Sequence, residues 1–413
     1  MKINTRLSWL VALALTCGAA HAANWTATWG AAPTPPSPAM GPMPGTPSFS
    51  NQTLRQIVRI SAGGNAVRIR LTNEYSTRPL AIGALRVALA NPDGTVIAGS
   101  DRPVTFAGKP TTTIPAGAPL LSDPVEFAVK PLATLAVSLY LPGDTGPCTC
   151  HGAGMQDTLV SAPGDHTAEA FVPQQKLQAR AFLSGIEVQS PVAARSIVLL
   201  GDSITDGVGS TVGANRRWPD LLAERLVARD ARTAPGVVNL GISGNRVLDP
   251  GMGESALTRF DRDVLAVPGV AWVVVFMGVN DLGLGFGMAE GPMADAMRAL
   301  RPATPVTADA LIAAYRQLIA RAQARGIKVY GATIAPYEGA GYFSVQGEAV
   351  RQAVNTWIRS SKEFDAVLDF DAVLRDPAKP AAMRDNFQAG DHLHGSDAGY
   401  AAMAQSIDLT LFR

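Results

Sequence analysis

The feature that most constrains the fold of this sequence is an apolar run that leads into a glycine-containing turn. Residues 196–200 read Ser-Ile-Val-Leu-Leu, and residues 201–203 follow directly as Gly-Asp-Ser. A short, continuous apolar run is typical of a strand that is buried on both faces of a parallel sheet. Because open α/β sheets bind ligands just beyond the carboxyl ends of their strands, Ser203 is a candidate nucleophile. A plain strand-to-helix cap is the alternative interpretation of this turn.

Similar apolar runs recur along the carboxyl-terminal half of the chain. They occupy residues 237–240, 272–277, 327–334 and 366–370. Segments with the spacing of amphipathic helices separate these runs, and Ser396 is the expected N-cap of the last helix. An alternation of strands and helices predicts a parallel sheet with right-handed crossovers and helices on both faces. We therefore predict an α/β domain over residues 191–413.

The preceding residues, 23–190, have a different pattern. Short β-prone runs separated by Gly, Pro and Asn turns predict an antiparallel all-β domain of the sandwich or jelly-roll type. Within it, residues 55–61 and 66–71 alternate apolar and polar side chains on either side of Gly-Gly-Asn, which predicts a hairpin. His151 and His166 are isolated in the sequence, and we interpret them as structural or surface residues.

The first residues of the chain predict export. Two basic residues precede an apolar segment at 7–20, and the pattern ends in Ala-His-Ala at 20–22. This arrangement predicts a signal peptide over residues 1–22, cleaved after Ala22, and a secreted or periplasmic protein. A lipid anchor at Cys17 is the less favoured alternative, because the residues before it suit lipid attachment poorly. No transmembrane segment is expected in the mature chain.

Charge and cysteine content limit the classes of partner and cofactor. The 35 basic and 34 acidic residues give a net charge of +1, so no electrostatic argument favours nucleic acid or an anionic membrane. After removal of the signal peptide, Cys148 and Cys150 remain. Export permits a disulfide between them, although two loop cysteines, whether paired or not, are an equally good interpretation. No metal or cofactor is expected, because no second cysteine pair completes a zinc site.

Polar residues follow several of the predicted strands and are suited to acyl transfer. In a parallel sheet these loops leave from one edge and converge on one cleft. The residues concerned are Ser203, Gly241, Asn280, Asp391 and His394. Acyl transfer requires a nucleophile, a base, a group that orients the base, and donors to the oxyanion. His394 is the candidate base, because the Asp-x-x-His spacing lets Asp391 reach it, whereas His392 would point elsewhere.

The blocks that carry these residues together resemble the GDSL or SGNH hydrolase family. They read Gly201-Asp202-Ser203-Ile204, Gly241, Gly278-Val279-Asn280-Asp281 and Asp391-His392-Leu393-His394. The resemblance implies a flavodoxin-like, three-layer parallel sheet, in which Ser203 is the nucleophile and His394 is the general base oriented by Asp391. It also implies an oxyanion hole formed by Ser203, Gly241 and Asn280. Two departures, Ile204 for Leu and Gly395 for a frequent Pro, remove no functional group.

The expected function is that of an exported serine esterase, which cleaves short-chain, aryl or acetyl esters through an acyl-enzyme without a cofactor. A polysaccharide O-acetylesterase is one alternative. A glycan-binding protein, with the β-rich domain as its main functional module and in contact with carbohydrate, is another. Residues 283–306 are long for a connection of this fold. They predict either a flap that lines an acyl pocket or an insertion that packs against the other domain.

Overall fold

The structure is a computed structural model that describes residues 25–39, 45–168, 171–190, 195–286 and 304–413. The predicted signal peptide lies outside these residues, and so do residues 287–303 of the predicted flap. The described ends of that flap lie close together, because a Cβ atom on Gly285 would be 2.9 Å from the carbonyl oxygen of Thr304. Within the described ranges, no helix combines the length and the apolar character needed to cross a bilayer.

The amino-terminal part of the chain, here called the β-rich region, consists of antiparallel strands. They are β1 (Trp25–Gly30), β2 (Gln52–Arg59), β3 (Gly64–Thr72), β4 (Leu80–Ile82), β5 (Ala84–Leu89), β6 (Arg102–Pro103), β7 (Thr112–Ile114), β8 (Pro119–Leu121), β9 (Val125–Val129), β10 (Thr134–Leu141), β11 (Cys150–His151), β12 (Thr158–Pro163), β13 (Pro173–Leu177), β14 (Arg180–Ala181) and β15 (Leu183–Gln189). One main sheet has the order β1-β15-β3-β8, with β9 beside β3, and the other has the order β13-β12-β2-β10-β5-β6. Apolar side chains from both sheets share one buried core, which confirms the predicted sandwich.

The hairpin predicted between β2 and β3 is wrong. β2 pairs with β10 and β12, whereas β3 pairs with β15, β8 and β9, so the two strands lie in different sheets. The connection crosses between the sheets because the Ser61 N–H donates to the carbonyl oxygen of Thr28 on β1, at 3.0 Å. The polar positions of β2 are also buried: the side-chain amide of Gln56 donates to the carbonyl of Ala181 at 2.7 Å.

The carboxyl-terminal part forms the predicted α/β domain. Its parallel strands are β16 (Ser196–Gly201), β17 (Gly236–Gly241), β18 (Val270–Phe276), β19 (Lys328–Ala332) and β20 (Ala366–Leu368). Its described helices are α1 (Ser203–Asp206), α2 (Trp218–Arg229), α3 (Ala256–Phe260, continued by a π-helical turn), α4 (Val279–Phe286), α5 (Ala308–Gln323), α6 (Val345–Ser360), α7 (Phe370–Leu374) and α8 (Asp397–Ser406). As expected, the Ser396 side chain caps α8 and accepts from the Gly399 N–H at 3.2 Å.

The sheet order places a cleft at the carboxyl end of β16. The spatial order is β17-β16-β18-β19-β20, which is the 2-1-3-4-5 order of flavodoxin-like folds. In the sheet, β17 lies on one side of β16, whereas β18, β19 and β20 lie on the other side. Because the crossover connections are right-handed, α2 lies on one face of the sheet, and α5 and α6 lie on the other face. Helix packing agrees, because α2 contacts α8 whereas α6 contacts α4 and α5. Strand order reverses beside β16, and ligands of such sheets bind at that reversal.

The strand β1 joins the β-rich region to the α/β domain. The Ala27 N–H donates to the carbonyl of Pro268 at 3.1 Å, and the Ser196 hydroxyl donates to the carbonyl of Ala27 at 3.0 Å. The Val237 N–H of β17 donates to the Ser61 hydroxyl at 2.8 Å. Ala27 itself lies in the apolar core of the α/β domain. The last strand of the β-rich region ends at Gln189 and the first parallel strand begins at Ser196, while these contacts connect the two parts.

Candidate active site

Ser203 stands at the start of α1, directly beyond the end of β16. Asp202 caps this helix, since its Oδ1 accepts a hydrogen bond from the Ile204 N–H at 3.0 Å. The cap fixes the turn through which the chain leaves the strand. Only 5% of Ser203 is exposed, so a reagent reaches its hydroxyl from the cleft side alone. The helix cap that the sequence offered as an alternative role for this turn is thus formed by Asp202. The side chain of Ser203 takes no part in the cap and is available to another partner.

His394 and Asp391 lie in line with the Ser203 hydroxyl. His394 Nε2 is 2.8 Å from Ser203 Oγ, and His394 Nδ1 is 2.5 Å from Asp391 Oδ2. The other oxygen of Asp391 accepts the backbone N–H groups of Leu393 and His394, at 3.0 and 2.9 Å. Burial acts to raise the pKa of Asp391, but these hydrogen bonds outweigh burial and hold that pKa well below its ordinary value. Asp391 is therefore a fixed carboxylate that selects the tautomer of the imidazole.

Asn280 lies at the start of α4 and is buried. Its Nδ2 donates to the carbonyl of Asn245 at 3.0 Å, and its Oδ1 accepts from the hydroxyl of Tyr342 at 3.2 Å. A side-chain amide has two N–H groups, so one of them is still available to a ligand. The Asn245 carbonyl can only accept, so the amide atom that faces it is the nitrogen, and this contact fixes the direction of the N–H groups.

The backbone N–H of Gly241, which the sequence predicts to be an oxyanion donor, already has a partner within the protein. The Gly241 N–H donates to the side-chain oxygen of Asn239 at 3.0 Å, so that donor is already occupied. Glycine is required at this position for another reason: a Cβ atom would lie 2.4 Å from the backbone nitrogen of Asp206 and 2.8 Å from the carbonyl oxygen of Asp202. Gly241 therefore lets the end of β17 pack directly against the nucleophile turn.

The turn that follows β17 exposes a different backbone donor. The Asn245 N–H donates to the carbonyl of Ile242 at 3.0 Å and closes a turn with Ser243 and Gly244 at its centre. Gly244 has φ +73°, a conformation that glycine adopts without strain. Within the described residues, neither the Gly244 N–H nor the Ser203 N–H donates a hydrogen bond. Because Asn280 binds the next carbonyl, that of Asn245, its amide lies beside this turn.

Residues 199–402 match the model of the GDSL-like lipase/acylhydrolase family. This domain belongs to that family. The GDSL domain is accordingly a carboxylic ester hydrolase.

Solved structures similar to this chain include other esterases and lipases. A GDSL-like lipase from Bacteroides thetaiotaomicron is 18% identical, with 52% of this chain and 87% of that chain covered and a TM-score of 0.37. A variant of an acetyl xylan esterase from Geobacillus stearothermophilus is 22% identical, with 51% and 92% covered and a TM-score of 0.38. A comparison with curated proteins gave no match.

Buried polar groups of the GDSL domain hold the loops of the site together. Asp281 Oδ2 accepts the N–H of Val247 at 2.9 Å, and its Oδ1 accepts the N–H groups of Val247 and Leu248, both at 3.1 Å. Burial raises the pKa of Asp281 to about 6, although these backbone donors lower it. The fully buried Arg259 donates to the carbonyls of Gly201 and Leu240, at 2.9 and 2.8 Å. Arg259 thus fixes the carboxyl ends of β16 and β17 relative to each other.

Several residues that shape the site were not assigned to it from the sequence. Arg259 and Tyr342 lie outside the family blocks, and His151 belongs to the β-rich region, yet its Nε2 is 2.9 Å from Asp206 Oδ1. No local pattern marks these residues, because each meets its partner only through tertiary packing. Among the described residues, no group of three or more His, Cys, Asp or Glu side chains is arranged to hold a metal ion.

Proposed function

We propose that Ser203, His394 and Asp391 form a catalytic triad that cleaves carboxylic esters through an acyl-enzyme. In the first step His394 Nε2 takes the hydroxyl proton while Ser203 Oγ attacks the ester carbonyl. The imidazolium formed, which Asp391 stabilises, then gives that proton to the leaving alcohol. In the second step His394 deprotonates water, which attacks the acyl-enzyme and releases the acid and Ser203.

The oxyanion of both tetrahedral intermediates would be held by the N–H of Ser203, the N–H of Gly244 and the side-chain amide of Asn280. Gly244 replaces Gly241 in this proposal, because the Gly241 N–H already donates to Asn239. Support comes from the position of Gly244 in a half-buried turn beside Asn280, where its N–H donates to no other group of the described residues. Loss of one such donor typically lowers turnover about 10²–10³-fold.

The observation that carries the triad proposal is the pair of distances, 2.8 and 2.5 Å, that joins serine to imidazole and imidazole to carboxylate. The variant Ser203→Ala should lower kcat for p-nitrophenyl acetate by at least about 10⁴-fold, because no nucleophile remains to form the acyl-enzyme. Ser360→Ala, on the exposed side of α6, is the matched control and should keep normal turnover. Normal turnover by Ser203→Ala, with the fold verified by circular dichroism, would contradict the proposal.

Short-chain, aryl or acetyl esters are the proposed substrates, and acetylated polysaccharide is the alternative. The near-neutral net charge of +1 weighs against dedicated action at an anionic lipid surface. Initial rates on p-nitrophenyl acetate, butyrate and palmitate, measured beside acetate release from acetylated xylan, separate these substrates. Highest kcat/KM on palmitate would contradict the short-chain proposal.

A glycan-binding role for the β-rich region finds little support in its tryptophans. Trp29 is buried, and the guanidinium of Arg68 lies over the ring of Trp25 at 4.2 Å from its centroid. Burial therefore keeps the Trp29 ring from a sugar, and Arg68 occupies one face of the Trp25 ring. Sedimentation of the intact protein with insoluble polysaccharide tests this role, and strong binding that survives Ser203→Ala would support it.

Export of the protein after cleavage at Ala22 is also proposed. The amino-terminal pattern supports it, and so does the disulfide between Cys148 and Cys150, since such bonds persist in oxidising compartments. Amino-terminal sequencing of protein recovered from the periplasm and the medium should begin at Ala23. Recovery of the uncleaved chain from the cytoplasm alone would contradict export.

A further inference from the structure

The imidazole of His151 connects the β-rich region to the helix that carries the nucleophile. His151 is 5% exposed. Its Nε2 is 2.9 Å from Asp206 Oδ1, and its Nδ1 is 3.1 Å from the carbonyl oxygen of Ala32. Both neighbours are oxygen acceptors, so both ring nitrogens donate, and a histidine that donates from both nitrogens is an imidazolium.

The surroundings of His151 agree with a charged ring. Burial acts to lower the pKa of His151, but the Asp206 carboxylate and the Ala32 carbonyl outweigh burial and raise that pKa above its ordinary value. Arg180, which stands opposite His151 in the β11–β14 pair, acts weakly in the other direction. His151 and Asp206 thus form a buried ion pair, and removal of one partner from such a pair leaves the other charge without compensation.

Asp206 carries this contact into the catalytic machinery. It is the last residue of α1, the helix that begins with Ser203. While Oδ1 meets His151, Oδ2 accepts a hydrogen bond from the Ser243 hydroxyl at 3.0 Å. Ser243 directly precedes Gly244 in the turn that supplies the proposed oxyanion donor. One carboxylate therefore ties the nucleophile helix to the oxyanion turn, and His151 holds that carboxylate.

The segment around His151 is itself firmly placed. Cys150 forms the disulfide with Cys148, and its carbonyl accepts the Thr34 N–H at 2.8 Å. The preceding Thr149 carbonyl accepts the Phe182 N–H at 3.0 Å. Cys148 and Cys150 are buried in the core of the β-rich region. Because the backbone that leads into it is restrained in this way, His151 can act as a fixed support for Asp206.

We infer that His151 is a positioning residue of the esterase: through Asp206 it sets the distance and direction between the Ser203 hydroxyl and the oxyanion donors of the turn. The inference rests on the proposed catalytic role of Ser203. It assigns the β-rich region a part in turnover that its sequence does not suggest, since that region carries none of the reacting groups. A small displacement of a nucleophile from its oxyanion donors lowers turnover by up to about 10²-fold.

The test compares variants that differ in what they present to Asp206. His151→Leu removes the donor and the charge, whereas His151→Gln keeps one N–H of similar reach. Glu224→Gln is the matched control, because it breaks another ion pair between the two parts of the chain, Arg59 with Glu224 at 2.7 Å. Each protein is assayed with p-nitrophenyl acetate and then treated with a fluorophosphonate, which reacts with activated serines and reports both the fraction and the rate of labelling.

The expected result is that His151→Leu lowers kcat by about tenfold to a hundredfold, changes KM little, and is labelled completely but slowly. His151→Gln should recover most of the labelling rate, and Glu224→Gln should react like the parent. The inference is overturned if His151→Leu is labelled at the parental rate. This holds also if only a fraction of the molecules is labelled at that rate, because such a result would mean that the variant loses folded protein and not the position of its nucleophile. Failure of the parent protein to be labelled at Ser203 would instead overturn the proposed function.

Discussion

The carboxyl group of Asp202 serves local structure in surroundings that disfavour its charge. Its Oδ1 caps α1 by accepting from the Ile204 N–H, yet only 2% of the residue is exposed. Burial raises the pKa of Asp202 to about 7, and this effect outweighs the hydrogen bond from the Ile204 N–H, which acts to lower that pKa. In the unfolded chain the pKa returns to its ordinary value of 3.8. A carboxyl group whose pKa is higher in the folded state loses its proton more readily in the unfolded chain. The free energy of unfolding therefore falls as the pH rises from the pKa of the unfolded chain through the pKa of the folded protein.

The variant Asp202→Asn should therefore be more stable than the parent, by an amount that grows with pH. The asparagine side chain still caps the helix and carries no charge to bury. The gain in the free energy of unfolding should be small near pH 4 and reach up to about 4 kcal/mol near pH 8. Urea unfolding of both proteins at several pH values measures it.

An exposed aspartate in a turn provides the control for this pH trend. Asp93 accepts the Thr95 N–H, and this hydrogen bond lowers the pKa of Asp93 in the folded protein. Asp93→Asn should therefore lose stability relative to the parent as the pH rises, which is the opposite sign. A constant difference between Asp202→Asn and the parent over the whole pH range would show that Asp202 is not held in the protonated form near neutral pH.

At the scale of single elements, the close approach of β17 to the nucleophile turn leaves no room for a side chain at Gly241. A Cβ atom there would meet backbone atoms of Asp206 and Asp202, which cannot turn aside as a side chain can. Gly241→Ala should lower the free energy of unfolding by about 1–3 kcal/mol and should also lower kcat, because α1 is pushed away from β17.

The control for Gly241→Ala is Gly143→Ala, where a Cβ atom meets no heavy atom within 4 Å. This variant should retain the stability and the kcat of the parent. Thermal unfolding and turnover of p-nitrophenyl acetate are measured on both variants. If Gly241→Ala kept both the stability and the kcat of the parent, the close packing of β17 against the nucleophile turn would be contradicted.

The sequence allowed the elements of the GDSL domain to be predicted because its apolar runs reflect burial directly. β16 to β20 coincide with these runs, and parallel topology then brings Ser203, Asn280 and His394 to one edge. Prediction failed where the outcome depends on packing between sheets. The alternation in residues 55–61 could not reveal that Gln56 is buried and donates a hydrogen bond to the carbonyl of Ala181. The hairpin prediction was wrong for this reason. Likewise, only the structure shows that Asn239 occupies the Gly241 N–H.

At the scale of the whole molecule, the β-rich region and the GDSL domain are held together by more than the chain that connects them. The contacts include the Ser61 hydroxyl with the Val237 N–H, Arg59 with Glu224, and His151 with Asp206. The sequence boundary at residues 190 and 191 remains a prediction about where the sheets divide. It does not imply that the two parts separate.

A protease site introduced within residues 191–194 tests this association. After cleavage, the two parts should elute together in size-exclusion chromatography and should retain esterase activity, because the contacts between them do not depend on the connection. The uncleaved variant is the control. Separate elution, with full activity in residues 195–413 alone, would show that the β-rich region is dispensable for both association and turnover.

The pairing of β1 has a consequence for the order in which the protein forms. β1 lies beside β15, with Trp25 opposite Gln189, so a ribosome delivers β1 first and its partner only after the rest of the β-rich region. One edge of β1 has no strand to pair with during that interval, and unpaired edges are prone to aggregate. Soon after β15 emerges, Ser196 follows and binds the Ala27 carbonyl. Closure of the sandwich and docking of the first strand of the GDSL domain therefore both depend on residues that are made after the rest of the β-rich region.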